Sequence, residues 1–242
     1  MTERERGGGR GPDEMRPVVI ETDFVSTADG SCLISVGGTR VICTASVSTR
    51  VPGWMEGRGS GWVTAEYAML PASTGERKAR DSSKGRPDGR SVEIQRLIGR
   101  SLRVVVDMAA LGERSIYVDC DVLEADGGTR CASITGGYVA LHRALTGLIE
   151  AGDLDRMPLR DSVAAVSVGM VDGAPMCDLD YSEDSNAEVD ANVVMTGNGG
   201  LVEVQATAEQ MPLSRTSLDR MLEMAESGIA ELGRIQARAT DS

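Results

Sequence analysis

Between a β-rich run, Ser115–Leu123, and an apolar helical stretch lies Ala125-Asp126-Gly127-Gly128-Thr129-Arg130. Paired glycines let a backbone approach a ligand closely. The first amides of a following helix point outward, and the helix dipole favours an anion there. Arg130 adds a planar charged fork and Ser133 a hydroxyl. With Gly128 and Thr129, these residues are candidates to seat one phosphate. An ordinary strand–turn–helix connection is the competing reading.

A second candidate is the acidic segment Cys177-Asp178-Leu179-Asp180-Tyr181-Ser182-Glu183-Asp184, which continues to Glu188 and Asp190. Mg²⁺ prefers oxygen ligands and often takes only one or two carboxylates, leaving other positions to water and substrate phosphates. A strand ending at Asp178 and followed by a turn could bring Asp178 and Asp184 together around Mg²⁺ or Mn²⁺. Either carboxylate could instead help a proton transfer. A solvated acidic turn is the plainer alternative.

A third lies between Arg77 and Arg103, with nine positive and three negative side chains, a local +6 on a chain of net charge −12. So acidic a protein does not attract nucleic acid by bulk charge. A segregated basic strip can still track a polyanion, with Arg77, Arg80, Arg96 and Arg100 as candidate RNA contacts. A solvated loop beside an ion-paired helix face explains the same charges.

Scarcity narrows the chemistry further. The only histidine is His142, too little for a zinc site or a Ser-His-Asp triad. The five cysteines are odd in number and form no CxxC pair, so a disulfide framework is not expected. Aromatics make up 3% of the chain, which argues against a platform of stacked rings.

These residues need elements to position them. Residues 1–15 are charged and Gly-rich and read as a loose tail, leaving one domain over 16–242. Short β-rich runs fill Val18–Val47, and another strand covers Gly61–Tyr67. The polar, basic stretch at about 72–90 reads as a long mobile loop. Ser91–Val106 carries Ile94, Leu97, Ile98, Leu102 and Val105 at helical spacing. A second helix is expected from about Ser133 to Ala151. Hairpins are expected over Val163–Asp180, turning at Asp172-Gly173, and over Asp190–Gln205, turning at Asn198-Gly199-Gly200. A long helix runs from Ser214 to about Arg238. This order predicts an α+β protein with two roughly similar halves. The sequence has no signal-like segment and no apolar run long enough to cross a membrane, so a soluble, cytoplasmic protein is expected.

Longer strings are more specific than any of these motifs. Gly61-Trp62-Val63-Thr64-Ala65-Glu66-Tyr67-Ala68-Met69-Leu70-Pro71, Glu93–Arg103 (EIQRLIGRSLR), Asp119–Arg130 (DCDVLEADGGTR), Ala132-Ser133-Ile134-Thr135-Gly136, Glu183-Asp184-Ser185 and Asn192-Val193-Val194 together resemble the RNase PH family. The resemblance runs from Arg16 to the last helix. It implies the RNase PH fold, similar to domain 2 of ribosomal protein S5, in mixed sheets with packed helices. It also implies a homohexameric ring built as a trimer of dimers. The implied activity is phosphorolytic 3′-to-5′ trimming of tRNA precursors and other RNA 3′ ends, with inorganic phosphate as co-substrate and nucleoside 5′-diphosphates as products. By the same resemblance Arg90 and Arg130 bind phosphate, with Thr129 and Ser133 nearby. Asp178 and Asp184 hold the metal, and Arg77 and Arg80 guide RNA. The chain departs from the family pattern at Ala72, Cys131, Ala206 and Gln210. The rival readings are a non-catalytic RNA-binding ring subunit of exosome-like type and a metal-dependent hydrolase releasing monophosphates.

Overall fold

A computed structural model describes Arg6 and residues 9–80, 83, 85, 88–209 and 212–241. Lys84, Arg86 and Gln210 therefore lie outside the described residues.

The first half builds β1 (Val18–Thr22), β2 (Gly30–Val36), β3 (Thr39–Ser48), β4 (Trp62–Met69), α1 (Gly89–Val105), α2 (Met108–Leu111) and β5 (Ser115–Glu124). Its five-stranded sheet has the order β1-β2-β3-β5-β4. Only the β4–β5 pair is parallel, and α1 and α2 make the crossover between those strands. Strand β5 shows why this region is a sheet. Ile116, Val118, Cys120 and Val122 are buried, while Tyr117 and Asp121 face outward.

Next come α3 (Thr129–Glu150), β6 (Val163–Val171), β7 (Ala174–Cys177), α4 (Tyr181–Asp184), β8 (Val189–Thr196), β9 (Leu201–Ala208) and α5 (Arg215–Thr240). The second sheet is antiparallel throughout, in the order β7-β6-β8-β9. Helix α3 is buried on almost every face from Cys131 to Leu141 because it packs between the two sheets. Its close seat needs a glycine. A Cβ on Gly136 would stand 2.7 Å from Ile34 Cγ2 and 2.8 Å from Cys43 Sγ. Strand β6 is apolar apart from the buried Ser167, since both its faces are covered. Val163 and Ala165 join the core around α3, while Val166 and Val168 pack with Met221, Ala225 and Ile229 of α5.

The expected elements are present, with three differences that matter. Helix α3 begins at Thr129 rather than near Ser133, so Thr129 and Arg130 lie in its first turn. Strand β7 stops at Cys177, because Asp178 takes a left-handed backbone with φ of 53°. Finally, part of the expected loose tail is docked. The buried Arg6 guanidinium donates to the carbonyls of Gly11, Pro12, Cys177 and Asp178 and to both carboxylate oxygens of Glu183. All five cysteines are buried thiols. Among the described residues no helix is long and apolar enough to cross a membrane.

Candidate active site

Strand β5 delivers the chain to a turn at Asp126–Gly128, and α3 leaves it at Thr129. Gly127 and Gly128 have φ of 76° and 67°, a region that L-residues with side chains rarely enter. The reason for Gly127 differs from the one read in the sequence. A Cβ there would lie 2.6 Å from the Leu179 carbonyl oxygen and 2.9 Å from the Tyr181 nitrogen. This glycine admits the backbone of the acidic segment rather than a ligand. Gly128 is the N-cap of α3 and supplies no side-chain cap. No N-cap side chain therefore answers the leading amides of α3, at the positive end of a 22-residue helix.

An open cleft of about 640 Å³ begins at those amides. Gly128, Thr129, Arg130 and Arg90 line it, as do Ser167, Tyr181, Asp184, Asp190 and Asn192. Thr74, Glu76 and Lys78 line it as well. Arg90 sits in the first turn of α1, exposed. Arg130 is mostly buried, with Nη1 donating to Gln205 Oε1 at 3.0 Å and lying 3.7 Å from Glu93 Oε1. The Thr129 hydroxyl is 2.9 Å from the buried Tyr67 hydroxyl. Burial pushes the Tyr67 phenol up, so it stays protonated, although the Thr129 bond and the charges of Arg90 and Arg130 pull the other way.

The carboxylates divide sharply. Asp178 is buried and does not line the cleft. Arg16 clamps it with a side-chain fork, Nε to Oδ2 at 2.9 Å and Nη2 to Oδ1 at 2.7 Å, while the Arg16 amide donates to Oδ2 at 2.8 Å. Arg16 Nη1 also donates to the Asp126 carbonyl, tying this pair to the underside of the glycine turn. Asp178 was expected beside Asp184; the carboxyl that interacts with Asp184 is that of Asp190. The Asp190 carboxyl is pushed up to about 6, first by burial and then by the charge of Asp184, despite the nearby arginines 130 and 90. One of its oxygens, Oδ1, is buried without a hydrogen-bond partner.

Other expected site residues are dispersed. Ser133 is fully buried, and its hydroxyl donates to the Thr129 carbonyl at 2.8 Å, so it does not reach the cleft. Arg100 is engaged by both oxygens of Glu203, between 2.8 and 3.1 Å. Arg77, Arg80 and Arg96 are exposed and do not line the cleft. Lys78, between the first two, does. The sequence reading gave no role to Asp190, Tyr67, Gln205 or Arg16. Asp190 carried a signal, being a carboxylate inside the largely buried strand β8. The other three meet Thr129, Arg130 and Asp178 only through long-range contacts.

An α+β frame that brings the start of its central helix, Arg130 on that helix and Arg90 on α1 to one cleft with a close carboxylate pair has the parts of a phosphate-handling enzyme. The chain belongs to the RNase PH family of 3′ exoribonucleases. The profile for domain 1 of the 3′ exoribonuclease family matches residues 14–145, and that for domain 2 matches residues 161–228. The first range contains all of the first sheet and most of α3, and the second contains all of the second sheet and the first half of α5. Ribonuclease PH of Moorella thermoacetica is 58% identical over 231 residues, covering 96% of this chain and 92% of that protein. The rice Rrp46 crystal structure superposes with a TM-score of 0.77 at 16% identity, over 97% of this chain and 100% of that one. A chain of the Archaeoglobus fulgidus exosome, with RNA bound to its active site, gives 0.78 at 24% identity, over 95% and 92%. At these identities the two structures establish the fold alone. The RNase PH fold expected from the sequence is the observed one.

Proposed function

We propose that this enzyme shortens RNA from its 3′ end by phosphorolysis, with orthophosphate seated on the α3 amides between Arg90 and Arg130. The observation that carries this reading is that Arg90, Arg130 and a helix start without a side-chain cap line the same cleft as Asp184 and Asp190. The 58% identity to a ribonuclease PH supports it.

Orthophosphate is already an anionic nucleophile, so the protein has no need of a histidine base. Its task is to hold one phosphate against another despite their repulsion. Arg90, Arg130 and the amides fix the attacking anion, and the Thr129 hydroxyl, held by Tyr67, borders it. A phosphate oxygen bonds to the phosphorus of the last phosphodiester as the bond to the penultimate 3′-oxygen breaks. The nucleoside 5′-diphosphate departs, and the RNA, one residue shorter, regains a 3′-hydroxyl. The step is reversible, because the product keeps a phosphoanhydride. The unsatisfied Asp190 oxygen beside Asp184 fits a divalent cation such as Mg²⁺ or Mn²⁺. When bound there, the cation would offset charge on the scissile group and on the leaving oxygen. Asp178, committed to Arg16, would act only by bracing the turn beneath. Tyr181, exposed at the rim, offers a ring face to the terminal base without reading its identity.

The substrates we assign are tRNA precursors and other RNA 3′ ends in the cytoplasm. The enzyme would act as a homohexamer, a trimer of dimers, with Arg77, Arg80 and Arg96 lining the approach to the cleft. The test is the identity of the released nucleotide when short RNA is incubated with and without phosphate. Diphosphate appearing only with phosphate supports the proposal. Monophosphate released without it establishes a hydrolase instead, and no release at all a non-catalytic ring subunit.

A further inference from the structure

We infer that Gln205 is a positioning residue that fixes the Arg130 guanidinium at the phosphate cradle, an inference that rests on the reading of Arg130 as a phosphate ligand. Gln205 lies on β9, at the edge of the second sheet, where most side chains face solvent. Its carboxamide is nevertheless held at both ends. The Oε1 atom accepts from Arg130 Nη1 at 3.0 Å. The Nε2 group donates to Glu93 Oε1 at 3.1 Å, from α1, and to Glu203 Oε1 at 2.9 Å, from β9 itself. Glu203 is in turn held by the Arg100 fork, with Nη2 to Oε1 at 2.8 Å.

This arrangement has one stable orientation. Turning the amide over would aim its oxygen at two carboxylates and its N–H groups at a guanidinium. With nitrogen committed to Glu93 and Glu203, oxygen faces Arg130. The choice of an amide also matters chemically. A carboxylate at this position would hydrogen-bond Arg130 directly and compete with the incoming anion, whereas a neutral oxygen orients the fork without adding a negative charge to the one Glu93 already brings within 3.7 Å. Glu93, at 3.7 Å, lies beyond direct hydrogen-bond distance of Arg130. Fixing a long side chain before the anion arrives removes an ordering cost from phosphate binding. Arg100, expected from sequence to contact RNA, here anchors the acidic end of this relay.

The test is steady-state phosphorolysis by the intact enzyme, varying phosphate and RNA separately, for Gln205→Ala. Loss of one hydrogen bond to a charged group should raise the KM for phosphate roughly tenfold. The KM for RNA and the thermal midpoint should stay at wild-type values. An unchanged phosphate KM overturns the inference. So does a rise matched by an equal rise in the RNA KM and a lowered midpoint, since that marks Gln205 as a mere pin between β9 and α1. If the alanine variant does not fold, Gln205→Met keeps the side-chain length and carries the same test. Arg130→Ala is measured in parallel. If it retains the wild-type phosphate KM, the reading of Arg130 itself falls. If it loses phosphate dependence while Gln205→Ala is unaffected, only the role of Gln205 falls.

Discussion

Two stretches of one acidic segment have opposite surroundings. From Cys177 to Glu183 the chain is stitched down by arginines of the N-terminal segment. Arg6 grips Glu183 and two carbonyls, Arg10 reaches the Asp178 carbonyl, and Arg16 encloses the Asp178 carboxylate. Burial works against the Glu183 carboxylate, but the Arg6 bonds outweigh it and hold Glu183 below the usual range. From Asp184 to Asp190 two carboxyl groups lie close enough to share a hydrogen bond, and one Asp190 oxygen has no partner. A carboxylate with its charge answered inside the protein supports the architecture. One left unanswered in a cleft is available for chemistry.

Breaking the answered pair should have the largest effect. Arg16→Ala leaves the Asp178 charge buried and should cost about 3–5 kcal/mol of stability in denaturant unfolding. Below its melting point the variant should keep the wild-type dependence on Mg²⁺. A stable variant that had lost its metal response would erase the distinction between the two stretches. Asp184→Asn is the converse experiment. Removing charge from the open pair should lower Mg²⁺-dependent turnover roughly a hundredfold, in line with the loss of one transition-state electrostatic contact, while the melting point holds. Equal loss of stability in both variants would contradict the division.

Asp190 sharpens the comparison through pH. Its carboxyl titrates near 6 in the folded chain, above the ordinary range near 4. Folding therefore favours the protonated acid. The associated stability is fully present below about pH 4 and is lost as pH rises through about 6. In chelator-treated protein, Asp190→Asn should raise the melting point at pH 8, with the gain shrinking toward pH 4. Added Mg²⁺ should stabilise the wild type more than the variant. A pH-independent gain would show that Asp190 does not carry this charge penalty. The smallest effect is expected on the basic wall. Tyr67→Phe takes one hydrogen bond from Thr129 and should raise the phosphate KM only a few-fold, about 1 kcal/mol. A loss as large as that of Asp184→Asn would give Tyr67 a direct part in the reaction.

Much of this architecture is legible in local pattern. The stripe of α1, the alternation of β5 and the two hairpins are short-range signals, and the structure keeps them. The candidate phosphate seat carries a short-range signal too, as Gly128, Thr129 and Arg130 are consecutive. The surroundings of the acidic carboxylates carry none. Asp178-to-Asp184 and Asp184-to-Asp190 are equally spaced in the chain. Their roles are separated by the positive φ at Asp178 and by Arg16, which meets Asp178 across 162 positions of sequence. Ser133 failed for a related reason. Once α3 starts at Thr129, Ser133 lies a full turn inside the helix, and its hydroxyl bonds back to the Thr129 carbonyl. Arg100 looked like an RNA contact because Glu203 lies 103 positions away.

The most direct measurement is an anomalous difference map from crystals of the enzyme soaked with Mn²⁺ and phosphate. The account predicts a manganese peak between Asp184 and Asp190, the Arg16–Asp178 fork intact, and a phosphate at the start of α3 within reach of Arg90 and Arg130. Manganese on Asp178 with Arg16 displaced, or phosphate bound away from Arg130, would contradict it.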